Sequence, residues 1–164
     1  MKTRILPNGM MMSEVADLIS EGREVIIVPK GASMLPFIRG NVDKVTLVQP
    51  TRLCVGNIVL AHFDDRYVLH RIIAIQGDQL KLMGDGNLEV CEHCPIGGVI
   101  GLVTDIITPE GRHRKPTKGR LWRKLLPIRK QLLKVYRKWH KLTDKYYSYY
   151  IIEDPRYNDN IEFL

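Results

Sequence analysis

Long apolar runs are missing from this chain. No stretch of its 164 residues approaches the ~18 apolar residues that a membrane-spanning helix requires, so no spanning anchor is expected. The segment Met1–Met12 also lacks a continuous apolar core followed by a small-residue cleavage site, which argues against a secretory leader. Cysteine is scarce, with three residues at Cys54, Cys91 and Cys94. That small odd number fits a reducing compartment better than a disulfide framework. Cys91-Glu92-His93-Cys94 has the spacing of half a zinc site, but no second pair follows it. A structural zinc needs four ligands, so the tetrapeptide reads as a surface loop and no metal or other cofactor is implied. The expected location is the cytoplasm.

Acids are almost absent from one region. Residues 112–145 hold 14 of the 25 Lys/Arg and a single acid, Asp144, whereas the remainder holds 11 bases and 17 acids. A mildly acidic body therefore carries a strongly basic appendage, and such asymmetry points to an anionic partner. From Leu121 to Leu142 apolar residues recur at spacings of three and four among lysines and arginines, the pattern of an amphipathic helix. Pro127 is expected to kink or divide that helix. Residues 121–142 can lie on an anionic membrane, which would place the protein peripherally on the inner membrane. They can instead pack on the body with their cations in water. Nucleic acid is the least favoured partner, because Pro127 argues against one long recognition helix.

What remains has the size of one domain. Ser13–Ser20 reads as a short helix with Ser13 as N-cap and Val15, Leu18 and Ile19 on its apolar face. Strand patterns follow at Glu24–Val28, Lys44–Val48, Ile58–Phe63, Tyr67–Ile75, Leu80–Met83 and Val99–Ile107. Asp64-Asp65 and Gln76-Gly77-Asp78 read as hairpin turns. Strands recurring without intervening helices predict a mainly β fold of coiled antiparallel sheets. The expected divisions are a helical segment at 1–22, a β domain at 23–111, a basic linker and helix at 112–145, and a tail at 146–164.

Three residues within the β region suit nucleophilic acyl transfer. Ser33 lies in Lys30-Gly31-Ala32-Ser33-Met34-Leu35-Pro36, after the apolar run Val25–Val28. His70 lies 37 residues later in Val68-Leu69-His70-Arg71-Ile72, and Asp85 another 15 later in Gly84-Asp85-Gly86-Asn87. A serine hydroxyl needs a neighbouring base to take its proton, and the base needs a third group to hold its tautomer. By strand alternation His70 shares a face with Arg66, Val68 and Ile72, while Leu69 and Arg71 face the other way. His62 is the rival base. Asp78 is a rival acid, and Asp85 in its glycine-flanked turn also suits turn chemistry.

The segment Gly31-Ala32-Ser33-Met34-Leu35-Pro36 resembles the nucleophile motif of the signal peptidase I and LexA-like serine peptidase superfamily. Arg39-Gly40-Asn41, Val55-Gly56-Asn57-Ile58-Val59, Val68-Leu69-His70-Arg71-Ile72, Gly84-Asp85-Gly86-Asn87 and Gly98-Val99-Ile100-Gly101 are similar to its later elements, in order, over residues 22–110. A histidine at the base position resembles the endoplasmic-reticulum-type branch, here without that family's transmembrane anchor. The resemblance implies the LexA/signal-peptidase-like fold and a serine endopeptidase that cuts a leader or signal-like peptide. Ser33 would be the nucleophile, His70 the base and Asp85 the orienting acid. The Ser33 N–H would hold the oxyanion, with Gly31, Met34 and Pro36 shaping the loop. The substrate would bind as an extended strand beside Glu24–Val28.

The chain departs from that pattern at Asn41 and Asn57, where the family carries aspartate. At Gly31 many relatives carry a hydroxyl residue. These departures motivate a second expectation, a catalytically weak or inactive peptide-binding module of the same fold. A self-cleaving regulator is a third, but no Ala-Gly or Cys-Gly dipeptide is present for it to cut.

Overall fold

The computed structural model describes residues 4–5, 12–87 and 90–143. They form β1 (Arg4–Ile5), α1 (Met12–Ser20), β2 (Val25–Ile27), β3 (Lys44–Val48), β4 (Ile58–Phe63), β5 (Arg66–Gln76), β6 (Gln79–Met83), β7 (Glu92–Pro95), β8 (Val99–Ile107), β9 (His113–Arg114), α2 (Arg120–Lys124) and α3 (Leu126–Thr143). The strands make one curled sheet in the order β1-β2-β3-β8-β4-β5-β6-β7, with β9 beside β8. β1 runs parallel to β2, and the other pairings are antiparallel. The architecture is the expected mainly β one, with a short N-terminal helix and a basic C-terminal helix.

Local chemistry accounts for the hairpins. Asp64 and Asp65 have φ of 48° and 58°, the left-handed pair that lets a two-residue turn follow the twist of its strands. They close β4 onto β5 in register from Ile58↔Arg71 to Phe63↔Arg66. Gly77, at φ 59°, turns β5 into β6.

Alternation along these strands divides the buried residues between two cores. Val15, Leu18 and Ile19 of α1 pack with Val45, Leu47, Ile58, Leu60 and Leu69 on one face, where Met34 and Ile38 join them. Val59, Ala61, Val68, Ile72, Leu80, Leu82 and Cys94 fill the other face. His70 lies on the second face between Val68 and Ile72, and Arg71 lies on the first beside Leu69.

The sequence reading differs at two places. The Cys91–Cys94 tetrapeptide is not a surface loop throughout. Glu92–Pro95 pair with β6, with Glu92 and Cys94 buried and His93 and Pro95 exposed. Its polar residues mask a strand alternation that only pairing with Leu80 and Leu82 exposes. Second, the edge of β2 expected to receive a substrate already carries the chain's own Arg4 and Ile5, opposite Val25 and Ile26. The basic helix is divided as expected, with the break at Leu125, two residues before Pro127. Pro127 occupies the first turn of α3, where a missing N–H costs little. Asp144 and the tail at 146–164 lie outside the described residues.

Candidate active site

The segment between β2 and β3 is a sequence of tight turns. Leu35 donates its N–H to the Ala32 carbonyl, and Phe37 and Ile38 donate theirs to the Met34 carbonyl. Met34 and Ile38 plug the first core, at 4% and 1% exposure, which anchors the segment that carries Ser33. Ser33 is half-buried and borders a small cavity with Pro29, Gly31, Met34 and Leu69. Gly31 adopts φ 79°, and a side chain on Gly40 would strike the Gly31 carbonyl. Pro36 is half-buried within the same turns.

Asn41 and Asn57 perform turn chemistry. Asn41 has φ 61°, a left-handed conformation that asparagine tolerates well. The Asn57 side-chain oxygen accepts the Cys54 N–H at 2.7 Å. Arg39 grips Asp43 within the same region, Nη2 to Oδ1 at 2.8 Å, with Asp43 fully buried.

His70 meets an acid, but not the expected one. Its Nδ1 lies 2.6 Å from Oε2 of Glu92, both groups being buried. Burial by itself would raise the Glu92 carboxyl. The His70 hydrogen bond, the His70 charge and the charge of Arg66 outweigh it and hold Glu92 below its ordinary value. With Nδ1 directed at a carboxylate, Nε2 is the imidazole nitrogen left to exchange a proton. Nε2 is buried with no hydrogen-bond partner. An open depression of about 510 Å³ borders Glu92, with Arg66, Cys91 and His93 also in its wall.

Asp85 is held by the neighbouring residue instead. Arg71 Nε and Nη2 reach its carboxylate at 2.8 and 2.6 Å. Arg71 Nη1 donates to the carbonyls of Gly56 and Thr117, at 2.8 and 2.5 Å, and the guanidinium lies over the Phe37 ring. Asp85 therefore anchors a buried arginine that ties the basic linker to the Ser33 segment, and the carboxylate that meets His70 is Glu92, not Asp85. The reason is strand parity. Arg71 pairs with Met83, and two further residues bring the chain back to the same face at Asp85.

Gly84 follows Met83, the last residue of β6. The Ser33 carbonyl stands 2.5 Å from where a Cβ on Gly84 would be, and it accepts the Gly86 N–H at 2.6 Å. Ser33 borders Leu69, which packs in the first core, whereas His70 pairs with Val59 and lies on the face of the second core. No hydrogen bond joins Ser33 Oγ to His70 Nε2 in this arrangement.

The rival residues have other surroundings. His62 stacks on Tyr67 with ring centroids 4.3 Å apart, and Asp78 is exposed in the β5–β6 turn. Sequence reasoning missed Glu92, whose only signal was a carboxylate at an inward position of an unrecognised short strand. Cys94 is fully buried and its thiol is pushed up to about 11, chiefly by desolvation and then by the Asp64 and Glu92 charges, so it is not a nucleophile near neutral pH. A comparison of the sequence with protein-family models finds no matching family, and no curated protein matches the chain.

Proposed function

We propose that the protein is a serine endopeptidase in which Ser33 is the nucleophile, His70 the base and Glu92 the acid that orients His70. The observation that carries this reading is the state of the imidazole. Nδ1 is fixed on a carboxylate, and Nε2 is buried without a hydrogen-bond partner. A buried polar nitrogen left unpaired is costly, and a catalytic base is one reason to retain it. Catalytic hydrogen bonds commonly close only in the substrate complex.

In the proposed reaction Nε2 takes the Ser33 proton as Oγ attacks a peptide carbonyl. Backbone N–H groups of the Ser33 turn receive the oxyanion. The imidazolium, stabilised by Glu92, returns the proton to the departing amine, and the acyl group stays on Ser33. Water, deprotonated by Nε2, then releases the acyl group and restores the serine. Arg71 and Asp85 act as positioning residues by holding the Gly84–Asn87 turn against Ser33. A substrate that adds as a strand to the β2 edge lies beyond Ile26 or displaces Arg4–Ile5. The resemblance to leader-processing peptidases makes a leader or signal-like peptide the proposed substrate class.

The second reading, a peptide-binding module, draws on the unmade Ser33–His70 hydrogen bond. A fluorophosphonate probe separates the two. The full chain is expected to label at Ser33, to lose labelling in Ser33→Ala, and to label about 10²–10⁴-fold more slowly in His70→Gln. A folded wild-type chain that does not label supports the binding module and refutes the peptidase.

A further inference from the structure

The helix α3 is apolar on two sides. On one side Arg129 and Leu133 are buried, at 1% and 2% exposure. Arg129 donates to the carbonyls of Asn87 and Trp122, and Trp122 Nε1 of α2 donates to the Asp85 carbonyl at 2.8 Å. This side clamps the helices to the Gly84–Asn87 turn. On the other side Ile128, Leu132, Val135 and Trp139 recur at spacings of four, three and four, which is a single stripe. They are exposed at 48%, 38%, 68% and 61%. Docking on the body therefore does not account for the whole apolar pattern of the helix.

The charges around the stripe select its occupant. Arg120, Lys124, Lys130, Lys134 and Lys138 are all exposed, and residues 112–143 contain no acid. Two copies pairing through this stripe would set like charges against one another. A nucleic acid would satisfy the cations and leave Ile128, Leu132 and Val135 in water. An anionic phospholipid surface offers phosphates to the lysines and acyl chains to the stripe at the same depth.

We propose that α3 is an interfacial helix that seats the protein on anionic bilayers through Ile128, Leu132, Val135 and Trp139. The clamp to Asp85 and Asn87 then holds the Ser33 segment at the lipid surface, because Gly86 of the same turn donates to the Ser33 carbonyl. The proposal stands independently of the chemistry at Ser33.

Flotation of the full chain with vesicles tests it. Binding is expected to vesicles of phosphatidylcholine containing about 30% phosphatidylglycerol, to be weak to phosphatidylcholine alone, and to fall in high salt. The double variant Leu132→Ser/Val135→Ser changes exposed positions and is expected to keep its circular dichroism spectrum and thermal midpoint while binding at least about tenfold more weakly. Lys130→Glu/Lys134→Glu is expected to lose binding to a similar degree. Three results would overturn the proposal. One is absence of anionic-vesicle binding, another is equal binding by the serine variant, and the third is a wild-type dimer dispersed by that variant.

Discussion

His70 and Arg71 are sequence neighbours that face opposite sides of β5, and each has a carboxylate of its own. The two pairs are buried, yet they predict different losses. Glu92→Gln retains an oxygen that can accept from Nδ1 but removes the charge that stabilises the imidazolium. It is expected to slow probe labelling by about 10²–10⁴-fold and to lower the thermal midpoint by less than Asp85→Asn does. Asp85→Asn leaves Arg71 as an uncompensated buried cation and is expected to cost about 3–5 kcal/mol of stability. Denaturant titration alongside labelling rates distinguishes the two. If folded Asp85→Asn abolishes labelling while Glu92→Gln leaves it intact, the orienting acid is Asp85. Because the Glu92 carboxyl is held below its ordinary value, its contribution to stability is present above that ordinary value and is lost as pH falls through the lowered one.

At the scale of elements, the Gly84–Asn87 turn joins everything around Ser33. Gly84 has no positive φ to justify a glycine; the requirement is space. A Cβ there would meet the Ser33 carbonyl at 2.5 Å and Asn87 Nδ2 at 2.9 Å, and the first of these is main chain held by turns. Gly84→Ala is expected to displace the Ser33 segment, to cost about 1–3 kcal/mol, and to slow probe labelling by at least about tenfold with the far-ultraviolet spectrum unchanged. Wild-type labelling in this variant would remove Gly84 from the site. The elements that were legible beforehand share a cause. Lys44–Val48, Ile58–Phe63 and Val99–Ile107 are apolar runs bounded by turn residues, and Asp64-Asp65 carries the backbone geometry of its own turn. β7 was not legible because it is four residues long, ends in proline and alternates polar with polar.

Over the whole molecule, two cores share a sheet and a basic helix pair is pinned across one end. The pinning rests on few groups: Trp122 edge-on to Phe37 and bonded to Asp85, Arg129 on two carbonyls, and Leu133. Local opening there is expected at a lower free energy than unfolding of the sheet. Trp122→Ala is expected to raise the rate of tryptic cleavage between Arg120 and Lys138 by at least about tenfold while residues 23–111 stay intact. Mass spectrometry of the fragments reads this directly, and an unchanged cleavage rate would show that Trp122 does not hold the helices.

The amino-acid order by itself determined six of the strand segments, where the two hairpins turn, and that a cationic amphipathic helix follows an acidic body. Those properties depend on residues within a few positions of each other, through backbone preference, side-chain alternation and spacing along one face. Only the tertiary structure decided which acid serves His70. That choice depends on the register of three strands, in which one step moves a side chain to the opposite face. The register sends Asp85 to Arg71 and brings Glu92, 22 residues away in the chain, across the sheet to the imidazole.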